Sequence, residues 1–317
     1  MNRKRLASAV AVGIGAAVAG NRALRGDLDS LEPPLSGDPG TVSWRGMDVA
    51  TVEAGDPEDP TVVLVHGVNA AGSAGEWRAI FEDLAEDHHV VAPDLPGFGR
   101  SDRPPLRYSA TLYREFLREF LASFDRPHVV ASSLSAAYVA TVADHPDVSL
   151  RTATLVVPTA VAGPDPPKTW LRELLRSPVL GEGLFNLIAS KPSIRYFNAD
   201  HGYYDPDAAT PEWIDYEWRT AHVEGTRYAP ASFVSGHLNA DVDLAAEVAA
   251  IDAPVTLVWG RETEITPLSE GRSLAESTDS ALVVLDRAKL LPHVEHPDVF
   301  LDVVRDAFEG RPGESDI

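Results

Sequence analysis

The chain has 317 residues, of which 44% are hydrophobic, so it can bury a sizeable core. Its 48 acidic and 27 basic residues, of which only four are lysines, give a formal net charge of -21. This composition resembles a halophilic, acidic proteome from a high-salt organism, and the negative field makes nucleic acid an unlikely partner of the folded body. The absence of cysteine excludes disulfides, thiolate nucleophiles and thiolate metal sites.

The first 25 residues carry a basic block followed by a weakly apolar run. Residues 3–5 are all basic, and the apolar run covers residues 6–20. This run is shorter than the roughly 20 residues that span a bilayer. Its order is typical of a signal peptide or of an uncleaved membrane tether, with a frayed helix as the alternative. We expect the protein to be membrane-associated or exported through this segment. If the segment serves neither purpose, we expect a cytoplasmic protein. Residues 26–40 have the Pro, Gly and acid content of a linker.

From residue 41 onward, short β-branched runs alternate with longer helical patterns. A hairpin is predicted at 42–55, and buried strands are predicted at 61–66, 89–94, 128–132, 152–158, 255–260 and 281–286. Helices with apolar spacing of three and four are predicted at 75–87, 111–124 and 134–145. This alternation predicts an α/β protein with a mostly parallel, doubly wound sheet, whose site lies beyond the carboxyl ends of the strands.

Residues 159–238 break this alternation. They contain no convincing buried strand, but many aromatic residues lie among helical pieces that are interrupted by proline. We predict a helical lid over a pocket, in which Trp170 and Trp213 contact the substrate. A packed helical subdomain without a ligand is the alternative. The core would then comprise residues 41–158 and 239–311, with a tail at 312–317.

Two motifs in the first half of the core carry a family resemblance. HGVN at residues 66–69 follows a predicted strand, and DLPGFGRSD begins some 25 residues later. Together they resemble the α/β-hydrolase superfamily in its lidded branch of esterases, epoxide hydrolases, haloperoxidase-like proteins and carbon-carbon hydrolases. The resemblance covers almost all of residues 42–308. It implies the α/β-hydrolase fold with a helical lid, and hydrolysis of a small apolar or acyl substrate without a cofactor or metal.

The nucleophile of this family lies on a sharp strand-to-helix turn of the form G-x-S-x-G. The matching stretch reads ASSLS, which places Ser133 at the nucleophile position and replaces the two glycines by Ala131 and Ser135. Alanine and serine are the smallest substitutes for glycine, so the turn is still expected. The backbone N–H groups of Val68 and Leu134 would then form the oxyanion hole. The alternative is that these serines only begin a helix.

The other two members of the triad are replaced. In similar proteins an acid follows the penultimate strand, where this chain has Thr263 between Glu262 and Glu264. The base normally stands in G-H-x-P-H-x-E-H-P, and the corresponding stretch, KLLPHVEHP, places Leu290 at the base and His293 at a second, packing histidine. We name Glu262 or Glu264 as candidate acids.

His293 is the first candidate for a displaced base, because a helical turn would bring it close to the base position. Two other histidines are alternatives: His66 beside the predicted oxyanion loop, and His237 where the lid returns to the sheet. Both, together with Asn69, are also candidates for contact with the substrate. His293 and His296 flank Glu295, but this stretch is expected to begin the last helix, so no metal site is predicted.

Two classes of function fit these residues. The first is a serine-type hydrolase in which Ser133 attacks an acyl carbonyl and a non-standard base moves the proton. The second is a catalytically inactive binding or scaffolding protein of the same fold, with or without a membrane tether, because loss of both the histidine and the acid is expected where triad chemistry has been lost. A substrate that supplies its own proton acceptor is a third alternative.

Overall fold

The computed structural model describes residue 15, residues 18–311 and the backbone of residues 315–316. Most of the predicted signal or tether segment lies outside these residues. Helical residues 18–24 adjoin the insertion between the sixth and seventh strands, because Asn21 Nδ2 donates to the carbonyl of Val179 at 2.9 Å. Among the described residues, every helix is too short or too polar to span a lipid bilayer.

The described residues form one sheet of nine strands. In chain order these are β1 Asp38–Trp44, β2 Met47–Ala54, β3 Thr61–Val65, β4 His89–Pro93, β5 His128–Ser132, β6 Thr152–Val156, β7 Val255–Gly260, β8 Ala281–Leu285 and β9 Ser315–Asp316. Their spatial order is β1-β2-β4-β3-β5-β6-β7-β8-β9. The pairs β1·β2 and β2·β4 are antiparallel, and every other pair is parallel. The mostly parallel sheet predicted from the sequence is confirmed.

The predicted hairpin is present and starts earlier than expected. β1 and β2 are joined by Arg45 and Gly46, which both have positive φ values of 50° and 80°, as a two-residue turn of type I′ requires. β1 begins at Asp38, inside the segment predicted to be a linker. Leu31 and Leu35 of that segment are buried, so it packs against the body of the protein and is not a free spacer.

Helices cover both faces of the sheet. The core α-helices are α1 Phe81–Leu84, α2 Ala110–Leu121, α3 Ser133–Ala143, α9 Leu244–Ala249, α10 Leu268–Thr278, α11 Pro292–Glu295 and α12 Pro297–Phe308. Short 3-10 helices occur at Leu28–Ser30, Ala74–Trp77 and Pro206–Ala208. The helix predicted at 75–87 is therefore only partly formed, since a 3-10 turn precedes the single turn of α1.

The insertion between β6 and β7 is helical, as predicted. It contains α4 Thr169–Arg176, α5 Leu180–Ile188, α6 Lys191–Phe197, α7 Pro211–Thr220 and α8 Tyr228–Val234, with a π-helical turn at Asn198–Gly202. Within residues 159–238 the structure has no strand, and one isolated bridge joins Val223 to Gly26. We refer to these residues as the helical insertion.

The order of the strands brings two loops together. The chain passes from β3 to β4 on one side and then returns to β5 on the other side of β3, which makes the end of β3 a topological switch point. Val65 at the end of β3 pairs with Ala131 in β5. The loop that follows β3 and the turn that follows β5 therefore begin side by side at the carboxyl edge of the sheet.

Candidate active site

The turn between β5 and α3 has the backbone of a nucleophile elbow. Ser133 is the first residue of α3, directly after the strand, and its φ is +55°. This left-handed conformation is strained for a residue with a side chain and persists only where the surroundings hold it. Ala131 and Ser135 are fully buried on either side, so these small residues are accommodated where the family has glycine.

The loop after β3 lies against this elbow. A Cβ atom added to Gly67 would lie 3.4 Å from Ser133 Cβ and 3.3 Å from Ser132 Oγ, so the close approach depends on glycine. Val68 follows and lines the same cavity as Ser133. Leu134 is the second residue of α3, where a backbone N–H has no acceptor within its own helix. Val68 thus lies at the cavity and Leu134 directly follows Ser133 in α3, but Leu134 is not among the described residues that line the cavity.

A cavity of about 290 Å³ opens above Ser133. Its wall is formed by both the core and the helical insertion, which contributes Phe197, Trp213 and Phe233 among others. Most of the wall surface is apolar. The predicted contact residues Asn69 and Trp213 line this cavity, whereas Trp170 does not and is 66% exposed on α4.

The acid and base positions lie next to each other. Gly260 ends β7, and a Cβ atom on it would lie 2.1 Å from the carbonyl oxygen of Lys289, so the loops after β7 and β8 touch. Leu290 lines the cavity with Ser133. Thr263 is buried, and its hydroxyl makes no well-formed hydrogen bond with the described residues. Both positions are kept, but they carry an aliphatic and a hydroxyl side chain.

The two glutamates that flank Thr263 have different surroundings. Glu262 Oε2 accepts a hydrogen bond from the backbone N–H of Ala288 at 3.0 Å, which ties together the two loops. Glu264 is exposed to solvent. The described wall of the cavity includes Ile265 and Thr266 but neither glutamate. Residues 261–267 lie mostly in turns, so the alternation of side chains along an extended strand does not apply to them.

His293 does not reach the cavity. It is fully buried, its ring packs 4.4 Å from that of Trp77, and the cavity wall does not include it. Burial, aided by the charge of Arg78, lowers the pKa of His293 to about 3. Its Nε2 lies 3.7 Å from Glu76 Oε1, which is too long for a hydrogen bond. The displaced-base role predicted for His293 is not supported by this placement, because the ring packs against Trp77 outside the described wall of the cavity that holds Ser133.

The two alternative histidines are also occupied elsewhere. His66 Nε2 accepts from the backbone N–H of Leu95 at 3.0 Å, so Nδ1 carries the proton and donates to the carbonyl of Gly67 at 2.7 Å. Its imidazole has no free lone pair for Ser133, and it stiffens the loop after β3. His237 contacts the hydroxyl of Ser235 at 3.0 Å and is not part of the described cavity wall.

Glu76 lies at the cavity and was missed by the sequence analysis. It is 7% exposed, and its Oε2 accepts from the backbone N–H of Gly67 at 2.9 Å. Burial raises the pKa of Glu76 from 4.5 to about 7, against the opposing effects of the Ser132 hydroxyl, the Gly67 N–H and the charge of Arg78. A carboxyl group of this kind exchanges a proton near neutral pH.

A polar cluster occupies the side of the cavity nearest Glu76. The guanidinium of Arg78 lies 3.9 Å from the ring centroid of Trp213, and its Nη2 donates to the hydroxyl of Tyr203 at 3.1 Å. Glu217 accepts from Asn198 Nδ2 at 2.7 Å, and burial raises its pKa to about 7. This cluster could not be recognised in the sequence, because its members come from three segments that meet only in the folded protein.

The sequence analysis also missed His201. It lines the cavity from the helical insertion, and its Nε2 lies 3.3 Å from Asp200 Oδ2. Its Nδ1 is buried without a well-formed hydrogen bond among the described residues. Within this part of the chain no group of three histidine, aspartate or glutamate side chains is arranged to hold a metal ion.

Comparison with known proteins agrees with this arrangement. A model of the "Alpha/beta hydrolase family" matches residues 62–303, which include the elbow, the helical insertion and the loops after β7 and β8. The chain belongs to the alpha/beta hydrolase family. It is therefore an α/β-hydrolase-fold protein related to hydrolases, and the fold and resemblance predicted from the sequence are confirmed.

Relatives over most of the chain are hydrolases by name. The 2-hydroxy-6-oxo-6-phenylhexa-2,4-dienoate hydrolase of Burkholderia cepacia is 24% identical over 82% of this chain and 92% of its own length. The pimeloyl-[acyl-carrier protein] methyl ester esterase of Aeromonas salmonicida is 27% identical over 78% of this chain and 95% of its own. Uncharacterized mycobacterial proteins are 35% identical, but over only 77 residues, and the chain spans 22% of their length.

A solved structure supports the fold independently. The 2-hydroxy-6-oxo-6-phenylhexa-2,4-dienoate hydrolase of Rhodococcus sp. strain RHA1 superimposes with a TM-score of 0.69. The match covers 86% of this chain and 100% of that chain, at 23% sequence identity. A likeness at this identity concerns the architecture, so the chemistry must be argued from the residues of the site.

Proposed function

We propose that this protein is a serine hydrolase that cleaves a small ester or other acyl substrate with an apolar portion. The observation that carries the proposal is the strained conformation of Ser133, with φ at +55°, at the base of a cavity. Backbone strain of this kind is kept at functional sites, since a helix start has no need of it. The apolar wall and the volume of about 290 Å³ suit a small acyl compound.

The proposed reaction follows acyl-transfer chemistry. Ser133 Oγ forms a bond to the acyl carbon as its proton passes to a base, and the carbonyl electrons move onto the oxygen. The N–H groups of Val68 and Leu134 hold that oxyanion. The carbonyl then re-forms, and the alkoxide leaves with the proton that the base returns. Water repeats the sequence on the acyl-enzyme and releases the acid.

A binding protein without chemistry is the second candidate, and one observation favours it. Leu290 occupies the cavity wall at the base position, so the side chain that would take the proton in the family has been replaced by an apolar surface. The cavity would then hold an apolar small molecule without cleaving it.

A fluorophosphonate probe distinguishes the two candidates, because it reacts only with an activated serine. We expect one adduct on the peptide that contains Ser133, and we expect Ser133→Ala to abolish it. Ser135→Ala is the matched control, since Ser135 is a buried serine on the same helix that does not line the cavity. A folded protein that binds a fluorescent apolar ligand but gives no adduct would support the binding protein and contradict the hydrolase.

A further inference from the structure

We propose that Glu76 is the general base that takes the proton of Ser133. It would replace the histidine that the family has at the position of Leu290. This inference rests on the proposed function, because a base is needed only if Ser133 acts as a nucleophile. Glu76 comes from the 3-10 turn Ala74–Trp77 after β3, whereas the family's base position follows β8. The base would thus enter the cavity on the side of the oxyanion loop.

Distances around Gly67 place the carboxylate beside the nucleophile. A Cβ atom on Gly67 would lie 3.3 Å from Glu76 Oε2, 3.3 Å from Ser132 Oγ and 3.4 Å from Ser133 Cβ. Atoms that each lie 3.3 or 3.4 Å from one point are less than 7 Å apart. Transfer of the proton through one intervening hydroxyl or water is therefore the route that these distances allow.

One carboxylate oxygen of Glu76 accepts a hydrogen bond, and the other has no donor among the described residues. Oε2 accepts from the Gly67 N–H at 2.9 Å, which fixes the orientation of the group. Oε1 is buried and makes no hydrogen bond with the described residues. A buried carboxylate oxygen without a donor is energetically unfavourable, which is expected where a substrate, water or protein proton is to be received.

The surroundings of Glu76 set its proton affinity. The titratable and charged groups that face it are Arg78 on the same loop, His293 on α11, Glu217 on α7 and Tyr203 from the helical insertion. Because His293 has a pKa of about 3, it is neutral at neutral pH and does not hold Glu76 in the charged form. The pKa of Glu76, about 7, suits a residue that must both accept and return a proton near neutral pH.

His201 is the rival base in the same cavity. Its imidazole has a carboxylate partner in Asp200, but both side chains are partly exposed, at 30% and 46%. It belongs to the helical insertion, whereas Glu76 lies on the loop whose Gly67 approaches the elbow. If Glu76 is the base, Glu76→Gln should lose activity. If His201 is the base, His201→Gln should lose it.

The proton balance of the step is simple. The Ser133 hydroxyl proton moves to the Glu76 carboxylate as the Oγ–carbon bond forms, so the charge passes from the carboxylate to the carbonyl oxygen. Collapse of the intermediate breaks the bond to the leaving group, which takes the proton from the Glu76 carboxyl group. The deacylating water then loses a proton to Glu76, and Ser133 regains one when the acid departs.

The test measures the acylation rate of the full chain by a chromogenic ester between pH 5 and pH 9. For the wild type we expect a rate that rises through about pH 7 and then levels, because Glu76 must be deprotonated. Glu76→Gln should lower the rate by at least about 10²-fold and abolish this rise. Glu82→Gln is the matched control, since Glu82 is exposed on α1 and outside the described cavity wall, and it should leave the profile unchanged.

Each outcome decides the matter. If Glu76→Gln keeps the wild-type rate while Ser133→Ala abolishes it, or if His201→Gln alone removes the pH dependence, the inference is overturned and the hydrolase stands. If wild-type Ser133 is never acylated, both are overturned. Should Glu76→Gln fail to fold, Glu76→Asp keeps a carboxylate and should retain the rise at a reduced rate, and a wild-type rate that does not change from pH 5 to pH 8 would contradict the proposal without any variant.

Discussion

Two regions at the carboxyl edge of the sheet differ in what they have kept. At the elbow, residues 131–135 and the loop after β3 retain both the backbone of a nucleophile elbow and a serine, Ser133, at the position of the family's nucleophile. At the loops after β7 and β8, the backbones still touch through Gly260 and Lys289, but Thr263 and Leu290 stand at the acid and base positions. The geometry is thus present in both regions, whereas the titratable groups are missing from one.

The difference reflects which parts of the chemistry depend on side chains. An oxyanion hole built from the N–H groups of Val68 and Leu134 tolerates most substitutions, because every residue except proline has an N–H. A base or an acid is lost when one side chain changes. A site of this kind can therefore lose its proton acceptor while it keeps its oxyanion hole, and we propose that the neighbouring carboxyl group of Glu76 then takes the proton of the serine.

The largest expected effect comes from restoring the second region. The double substitution Thr263→Asp with Leu290→His returns an imidazole to the cavity wall and an acid to orient it. We expect hydrolysis of a chromogenic ester to rise by about 10²-fold, which is in the range of general acid-base catalysis. Steady-state kinetics at pH 8 measure the change.

The single substitutions serve as controls for this gain. Thr263→Asp alone places an unpaired carboxylate at a position that is only 4% exposed, so it should lower stability without raising the rate. If the double variant folds but hydrolyses the ester no faster than the wild type, the elbow cannot support hydrolysis even with an acid and a base restored. That result would contradict the view that only the titratable groups are missing.

A smaller effect on stability is expected from Glu217 on α7, whose buried carboxyl group accepts a hydrogen bond from Asn198. Its pKa is about 7 in the folded protein and 4.5 ordinarily, so the folded state binds the proton more tightly. The free energy of unfolding should therefore fall as pH rises from 4.5 to 7 and stay constant above, by up to about 3 kcal/mol.

Glu217→Gln removes this pH dependence, because an amide oxygen can still accept from Asn198 and does not ionise. Urea unfolding at pH 4.5 and pH 8 should give free energies of unfolding that differ less for the variant than for the wild type, and the difference that remains includes the contribution of Glu76, whose pKa is also about 7. The variant should be more stable than the wild type at pH 8. Glu212→Gln, an exposed acid on the same helix, should behave like the wild type. If the free energy of unfolding changed with pH equally in both variants, Glu217 would ionise in the folded protein without an energetic cost.

The smallest effect is expected from Ser132. Its hydroxyl lowers the pKa of Glu76, so Ser132→Ala should move the midpoint of the pH-rate profile to higher pH. The loss of rate at pH 6 should be less than about tenfold, and the rate at pH 9 should be nearly restored. A midpoint that shifts to lower pH, or an equal loss at every pH, would assign Ser132 a purely structural role.

The sequence predicted the sheet and the elbow because their signals are local. Six buried runs mark the parallel strands, and ASSLS after HVV places Ser133 on a turn whose small neighbours permit a positive φ. HGVN marks the loop that lies against it. These features follow from side-chain size and hydrophobic pattern within a few residues, which a sequence displays directly.

The proton acceptor could not be predicted, since it depends on how segments meet. Glu76 was assigned to a helix at residues 75–87, in which an acid normally faces solvent. The structure interrupts that helix after Trp77 and turns Glu76 towards Gly67, nine residues earlier. His293 was favoured because it stands near the base position in the sequence, but the turn of α11 directs it into the packing around Trp77 and Phe300.

The measurement that tests the central claim most directly is trapping of the acyl-enzyme. The wild-type protein is mixed with a chromogenic ester, quenched with acid within the first turnover and digested for mass spectrometry. We expect one acyl group on Ser133, formed at the rate at which the chromophore is released, and none in Ser133→Ala. Chromophore release at the wild-type rate by Ser133→Ala, or no acyl group on folded wild-type protein, would contradict the account.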